Sequence, residues 1–144
     1  MSPNYPACYL ILRKDNKILF VQRENTGYMD GMYSLPAGRV EENETFSLAV
    51  VREALEEVGV TVNPGSITHK LTQHRYAATS SFKQWVDVFF ESDDWQGTPV
   101  NKEPQVHSQI KWIDCNDLPD SIMDYQKWAL ETIAKGVSYT EFGW

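Results

Sequence analysis

The segment from Gly38 to Val60, GRVEENETFSLAVVREALEEVGV, constrains this chain more than any other part of it. It predicts an amphipathic helix over about residues 45–58. Successive helical residues are rotated by about 100°, so with Glu53 at zero, Glu56 falls at about −60° and Glu57 at about +40°. The three carboxylates share one face, and like-charged neighbours cost an isolated helix about 0.2–0.5 kcal/mol per pair. A divalent cation is the obvious counter-charge.

Apolar residues at helical spacing predict a buried stripe on the side opposite to Glu53. Its members are Leu48, Val51, Leu55 and Val58. Asn43 or Thr45 is a suitable cap for the start of the helix. Gly59 is a suitable left-handed residue for its end.

The flanks of this helix complete a longer pattern. Gly38, Glu44 and Arg52 precede the three glutamates in the arrangement G-x5-E-x7-R-E-x2-E-E-x-G, which closes at Gly59. This arrangement resembles the signature of the Nudix hydrolases, with the Nudix box at residues 38–60. The agreement is specific, because it involves glycine and charged residues at fixed spacing over 23 positions.

The resemblance extends beyond the box, over most of residues 5–135. The run Tyr33–Gly38 is similar to the aromatic-x-Leu-Pro-Gly-Gly stretch that precedes the box in small MutT-like members, with Ala37 in place of the first glycine. The resemblance implies the Nudix fold, an α/β (α+β) arrangement in which a mixed central β-sheet is sandwiched between helices. We expect one Nudix domain over residues 1–144.

The local pattern agrees with strands interleaved with two helices. Lys14-Asp15-Asn16 joins two β-rich runs in a predicted hairpin, and residues 24–32 form a predicted loop rich in Gly, Asn and Asp. Predicted strands cover 7–13, 17–23, 67–74, 84–91 and 109–113. Val86, Val88 and Phe90 alternate as one buried sheet face. The second helix is predicted to start with Ser121 as its cap and to end at Gly136.

The box glutamates suggest the chemistry. Carboxylate oxygens are hard ligands that suit Mg²⁺ or Mn²⁺, and Mg²⁺ is usually held by a few carboxylates together with phosphate oxygens. We therefore expect Glu53, Glu56 and Glu57 to bind Mg²⁺ (Mn²⁺ is the alternative) around a pyrophosphate linkage. These glutamates and Arg52 are the predicted catalytic residues. The choice of general base among the carboxylates stays open.

The resemblance assigns roles to further residues of the motif. It implies that Arg52 orients a box glutamate, that Glu44 holds the loop, and that Gly38 and Gly59 serve the backbone. A carbonyl of Gly38, or of the residue before it, is a further predicted metal ligand. Glu103 stands where MutT-like members often have a fourth metal-facing carboxylate; the alternative is an exposed loop residue.

Candidate substrate-binding residues lie outside the box. Arg23, at the end of the second predicted strand, matches a basic position that contacts substrate phosphates in small MutT-like proteins. Arg75 and Tyr76 follow the box, and the Tyr76 ring suits stacking on a base. The three histidines have no metal-ligand spacing with one another, so no histidine role is predicted. The aromatic tail, residues 139–144, is expected to dock on its own domain or on a partner subunit.

Composition excludes other classes of partner. Thirteen basic and twenty acidic residues give a net charge of −7, which argues against a nucleic-acid duplex or an anionic membrane as the main partner. Cys8 and Cys115 are far apart and are predicted to be reduced thiols. No signal peptide and no run of about 20 apolar residues is evident. We therefore expect a cytoplasmic monomer or homodimer.

The favoured function is Mg²⁺-dependent hydrolysis of a nucleoside diphosphate derivative. The expected substrate is a nucleoside triphosphate, either a standard one or an oxidised one such as 8-oxo-dGTP. The expected products are the monophosphate and pyrophosphate. A second hypothesis is hydrolysis of ADP-ribose, a nucleotide sugar or a dinucleoside polyphosphate. A third is a catalytically silent nucleotide-binding module, which the complete set of box glutamates disfavours. A substrate panel distinguishes the three.

Overall fold

The computed structural model describes residues 1–144. It contains two α-helices, α1 (Phe46–Val58) and α2 (Asp124–Ala134). The chain also forms ten strands, which are β1 (Asn4–Lys14), β2 (Lys17–Arg23), β3 (Tyr33–Ser34), β4 (Ala37–Arg39), β5 (Thr61–Val62), β6 (Thr68–Tyr76), β7 (Gln84–Ser92), β8 (Trp95–Gln96), β9 (His107–Asp114) and β10 (Tyr139–Phe142).

Eight of the strands build one mixed sheet. Its main path runs β10-β6-β7-β1-β2-β3, with β4 paired to β1 and β9 paired to β2. The pairs β1/β7 and β10/β6 are parallel, and the other pairs are antiparallel. The predicted hairpin is confirmed, since β1 and β2 pair across the turn at Asp15 and Asn16.

The sheet is buried on both faces. Alternate residues of β1 point to opposite faces: Tyr9 and Ile11 pack in one core with Leu130 of α2, whereas Leu10 and Leu12 pack in the other core with α1. The predicted mixed central sheet between helices is therefore confirmed.

The inward face of α1 differs from the predicted one. Leu48 and Leu55, assigned to the buried stripe, are 57% and 51% exposed, and Val51 is only half-buried. Of the predicted stripe, Val58 alone is fully buried. The residues that α1 buries are Ala49, Val50, Ala54, Glu57 and Val58.

The physical reason is that the acidic face and the packed face of α1 overlap. Ala49 and Ala54 are small, so the helix can lie close to the sheet, and Glu57 is carried inward beside them. The outward side keeps two exposed leucines. A prediction from hydrophobic periodicity assumes that charged side chains face water, and here that assumption fails because the Glu57 carboxylate is buried.

Two further predictions need correction. Helix α2 begins at Asp124, and Met123 rather than Ser121 is the residue before its first turn. The backbone carbonyl of Ser121 accepts a hydrogen bond from the Tyr33 N–H (2.8 Å), which holds the chain extended at that point. Strand β7 does not have a single buried face. On the predicted face Val88 is buried and Val86 and Phe90 are partly buried, whereas Asp87 and Phe89 on the other face are fully buried.

The aromatic tail docks on its own domain. Strand β10 adds to the edge of the sheet by pairing in parallel with β6. The Trp144 indole N–H then donates to the His74 carbonyl (3.0 Å), and its ring packs against Tyr76. Both cysteines are free. No helix has both the length and the apolar character needed to cross a bilayer.

The orientation of α1 leads to a stability prediction. Val58→Ala should lower the free energy of unfolding by about 2 kcal/mol, because it removes two fully buried methyl groups and leaves a cavity. Leu55→Ala should change it by no more than about 0.5 kcal/mol, because the side chain is half exposed. Urea denaturation of both variants measures the difference. Equal losses of stability in the two variants would contradict the exposed position of Leu55 on α1.

Candidate active site

Helix α1 is held at both ends by its own sequence. At the start, the Thr45 hydroxyl accepts a hydrogen bond from the Leu48 N–H (3.2 Å) and caps the helix. At the end, Gly59 adopts a left-handed conformation with φ of 72°, and its N–H donates to the Leu55 carbonyl. The turns that carry the glutamates therefore have defined positions relative to the sheet.

Arg52 gathers three of the motif's carboxylates. Its Nε and Nη2 donate to the two oxygens of Glu44 at 2.7 and 2.9 Å. Its Nη1 lies 2.8 Å from Glu53 Oε1 and 3.3 Å from Glu56 Oε2. The hydrogen bonds from Arg52 lower the pKa of Glu44 to about 2. Arg52 thus ties the loop before α1 to the acidic face of the helix.

Gly38 is needed for close approach. A Cβ atom at this position would collide with the carboxylate of Glu53, so only glycine leaves that side chain its place. Burial raises the pKa of Glu53 to about 7, although the hydrogen bond and charge of Arg52 oppose the shift. The predicted structural importance of Gly38 thus has a steric basis here.

Glu57 is a buried carboxylate without a basic partner that balances its charge. It is 8% exposed, and its Oε2 accepts a hydrogen bond from the Ala37 N–H at 2.7 Å. Its Oε1 lies 3.8 Å from Nε2 of His107. Burial, and next the charge of Glu53, raise the pKa of Glu57 well above its usual value. Such a site stabilises a bound cation.

Glu103, in the loop before β9, and His107, the first residue of β9, join Glu57. The three side chains each offer one ligand atom, and these atoms lie within 4.8 Å of one another. Burial, and next the charge of Glu56, raise the pKa of Glu103. Glutamate oxygens that repel one another in a half-buried site fit a divalent cation such as Mg²⁺ or Mn²⁺.

Sequence reasoning missed His107. The three histidines have no ligand spacing with one another, but the spacing Glu103-x-x-x-His107 can place a carboxylate and an imidazole on one side of a turn. Burial, and next the charge of Arg23, lower the pKa of His107, so its imidazole is neutral at pH 7.

A cavity of about 490 Å³ adjoins these groups, and this size suits a small-molecule ligand. Glu57, His107 and Gly38 line it, and so do the predicted substrate residues Arg23 and Arg75. The aromatic side chains in its wall are Tyr9, Tyr28, Trp85 and Tyr125. One carboxylate, two or more guanidinium groups and several flat rings therefore face one space, whereas Glu53, Glu56 and Glu103 are not among the lining residues.

Arg75 is held rigidly in the cavity wall. Its Nε donates to Asp87 Oδ2 at 2.6 Å, and its guanidinium lies 3.8 Å from the centre of the Tyr125 ring and 5.2 Å from that of Trp85. Burial is the largest single influence and lowers the pKa of Arg75, but the hydrogen bond to Asp87 and the neighbouring acidic groups together outweigh it and raise the pKa. Asp87 was not among the predicted site residues, although a carboxylate inside a β-rich run was a signal for it.

The other two predicted substrate residues differ in position. Arg23 lines the cavity and donates to the Tyr28 carbonyl (2.8 Å) and to the Thr26 hydroxyl (3.0 Å), so it also orders the loop after β2. Tyr76 is not among the lining residues. Its ring packs against Trp144 in a tilted arrangement, with centroids 5.2 Å apart. A role for Tyr76 in base stacking stays a prediction without support from this geometry.

Comparisons with known proteins agree with the motif. The NUDIX domain model matches residues 3–135. The chain is 32% identical to the 8-oxo-dGTP diphosphatase of Escherichia coli over 110 residues, which is 76% of this chain and 81% of that protein. It is 30% identical to the NAD-capped RNA hydrolase NudC of Vibrio atlanticus over 118 residues, which cover 81% of this chain but only 39% of that protein.

Solved structures share the fold. The crystal structure of the MutT NUDIX hydrolase from Burkholderia pseudomallei superimposes with a TM-score of 0.81 at 26% sequence identity. The match covers 90% of this chain and 98% of that one. The two curated proteins are named for different substrates, so similarity alone does not decide what this cavity binds.

The buried ion pair in the cavity wall leads to a stability prediction. Asp87→Asn should lower the free energy of unfolding by about 3–5 kcal/mol, because it leaves the buried guanidinium of Arg75 without its counter-charge. Glu91→Gln on the same strand is the matched control. Glu91 pairs with Arg13 at 2.9 Å nearer the surface, and its loss should cost about 0–1 kcal/mol. Similar losses in both variants, measured by urea denaturation, would contradict the importance of the buried pair.

Proposed function

Since this chain belongs to the Nudix family of pyrophosphohydrolases, we propose that it hydrolyses a nucleoside triphosphate to the monophosphate and pyrophosphate with the help of Mg²⁺. The oxygen of a water molecule forms a bond to phosphorus, the bridging P–O bond breaks, and pyrophosphate leaves with the electron pair. One proton of the water passes to a carboxylate of the site and on to solvent. The water oxygen keeps its other proton and stays on the phosphorus of the monophosphate.

The observation that carries the proposal is the composition of the cavity. It combines the buried carboxylate of Glu57 with the aromatic rings of Trp85 and Tyr125 and with the guanidinium of Arg23. A nucleotide needs all three, because its base stacks on flat rings, its phosphates bind cations, and its metal ion binds carboxylates. A pocket that binds only apolar ligands would not need a buried carboxylate.

The acidic residues are proposed to hold the metal ion and to position it against the phosphates. They are Glu53, Glu56, Glu57 and Glu103, with a backbone carbonyl at Gly38. A bound divalent ion neutralises phosphate oxygens and lowers the pKa of water, which is worth several kcal/mol in the transition state. Arg52 keeps Glu53 and Glu56 in place through its hydrogen bonds, and Glu44 orients Arg52.

The substrate itself is proposed to contact the basic and aromatic residues. Arg23 offers a guanidinium to the phosphates from the end of β2. Arg75 acts from the cavity wall, where Asp87 leaves it no freedom to turn. A rigid guanidinium loses little conformational entropy on binding, which favours selective recognition of a base or a sugar.

A second candidate is a substrate with a second group beyond its pyrophosphate, such as ADP-ribose, a nucleotide sugar or a dinucleoside polyphosphate. The similarity to NudC over 81% of this chain is the reason to test substrates of this second kind as well. 8-oxo-dGTP also belongs there, because the similar Escherichia coli protein is named for it.

The experiment is a panel of these nucleotides with Mg²⁺, in which the products are identified by chromatography. We expect monophosphate and pyrophosphate from a nucleoside triphosphate. Glu57→Gln should lower kcat about 100-fold or more, which corresponds to a loss of about 3 kcal/mol in the transition state. Glu42→Gln is the matched control, because Glu42 is an exposed glutamate of the same segment. Full activity of Glu57→Gln would refute the role of the carboxylates. Tight nucleotide binding without turnover would favour a silent module.

The close approach at Gly38 gives a second test. Gly38→Ala should lower kcat roughly 100-fold, because the added methyl group displaces the Glu53 carboxylate by about 1 Å. Gly65→Ala is the matched control, since a Cβ there meets only Asn63 Oδ1 at 3.4 Å. Comparable activity of the two variants, with unchanged circular dichroism, would exclude a functional contact between Gly38 and Glu53.

A further inference from the structure

We propose that His107 is a nitrogen ligand of the metal site and forms it together with Glu57 and Glu103. The site would then favour divalent ions that accept nitrogen donors, namely Mn²⁺, Co²⁺ and Zn²⁺, more than a site of oxygens alone does. This inference rests on the proposed function, because it refines the metal site that the function requires.

The backbone of residues 103–107 places two of the ligands together. The His107 N–H and the Val106 N–H donate to the Glu103 carbonyl at 2.9 and 3.0 Å, so the segment forms a single helical turn. Side chains four residues apart in such a turn lie on the same side. Asn101 closes the turn, because its Nδ2 donates to the His107 carbonyl (2.8 Å) and its Oδ1 accepts from the Glu103 N–H (3.2 Å).

The same loop is anchored to the helix that carries the third ligand. The Lys102 N–H donates to the Glu57 carbonyl at 3.1 Å, and the Val100 N–H donates to the Val58 carbonyl at 3.0 Å. Main-chain hydrogen bonds therefore place Glu103 beside the end of α1. This backbone arrangement brings the three ligand atoms to within 4.8 Å of one another.

His107 has no other partner for its ring. The residue is 5% exposed, and its Nδ1 is buried without a hydrogen bond. Its Nε2 points toward Glu57 but is 3.8 Å from Oε1, which is too long for a hydrogen bond. Buried polar groups are nearly always paired, so a ring with two unused nitrogens indicates a ligand that it shares with the facing carboxylate.

The type of ligand decides the class of ion. Mg²⁺ prefers an all-oxygen environment, whereas imidazole is a good ligand for Mn²⁺, Co²⁺ and Zn²⁺. Affinity for a site with nitrogen and oxygen donors rises from Mn²⁺ to Co²⁺. A set of two carboxylates and one imidazole therefore binds Co²⁺ more tightly than Mg²⁺, and the imidazole increases the preference beyond that of the carboxylates alone.

The test is calorimetric titration of the full chain with Co²⁺ and, separately, with Mg²⁺. For His107→Gln we expect at least about a tenfold loss of Co²⁺ affinity, in line with the effect of removing groups that support metal ligands. The Mg²⁺ affinity should change by no more than about twofold. His69→Gln is the matched control, because His69 is exposed and bonds only to the Thr72 hydroxyl. It should leave both affinities unchanged.

A second measurement uses the unaltered protein, so it does not depend on the folding of a variant. On addition of Zn²⁺, one imidazole ¹⁵N resonance of His107 should shift by NMR, whereas those of His69 and His74 should not. An unshifted His107 resonance at saturating Zn²⁺ would overturn the proposal.

A third variant separates this inference from the proposed function. If Glu57→Gln abolishes Co²⁺ binding but His107→Gln leaves it intact, the carboxylate site stands and the role of His107 is refuted. If neither variant changes Co²⁺ binding, both the inference and the carboxylate metal site are refuted.

Discussion

The inward position of Glu57 is the constraint on which the site depends. A charged carboxylate is costly to bury unless it is hydrogen-bonded or paired, and here the bond from the Ala37 N–H compensates only in part. Helix α1 has to turn its acidic side toward the sheet to place Glu57 there. The helix packs closely because the neighbouring buried residues, Ala49 and Ala54, are small. Its leucines consequently remain outside.

Arg52 solves the second electrostatic problem of this helix. Four carboxylates surround the turn that carries it, and its guanidinium contacts Glu44, Glu53 and Glu56 together. The geometry divides the acids into two groups. Those bonded to Arg52 have a fixed counter-charge, whereas Glu57 and Glu103 lie beside His107, and of these two glutamates Glu57 lines the cavity. The second group is where a cation contributes most.

The cavity is the product of a sheet that is covered on both faces. The face of β7 that carries Trp85, Asp87 and Phe89 packs with α2, and Asp87 there holds Arg75 against Tyr125. The alternation of apolar residues along β7 predicted one buried face but gave no information about the other face. A single sequence does not show how many layers cover a strand, so the alternation in the run 84–91 did not predict that Asp87 is buried.

The sequence by itself determined the reaction family and the local elements. The box motif, the β1/β2 hairpin and the ends of α1 are written in neighbouring residues, because caps, turns and i,i+4 relations act over one or two helical turns. Only the tertiary structure decided which side of α1 faces inward, that Tyr76 lies under Trp144 outside the cavity, and that His107 meets Glu57. These contacts join residues far apart in the chain, and they are set by how helices and loops pack on the sheet, which no local pattern encodes.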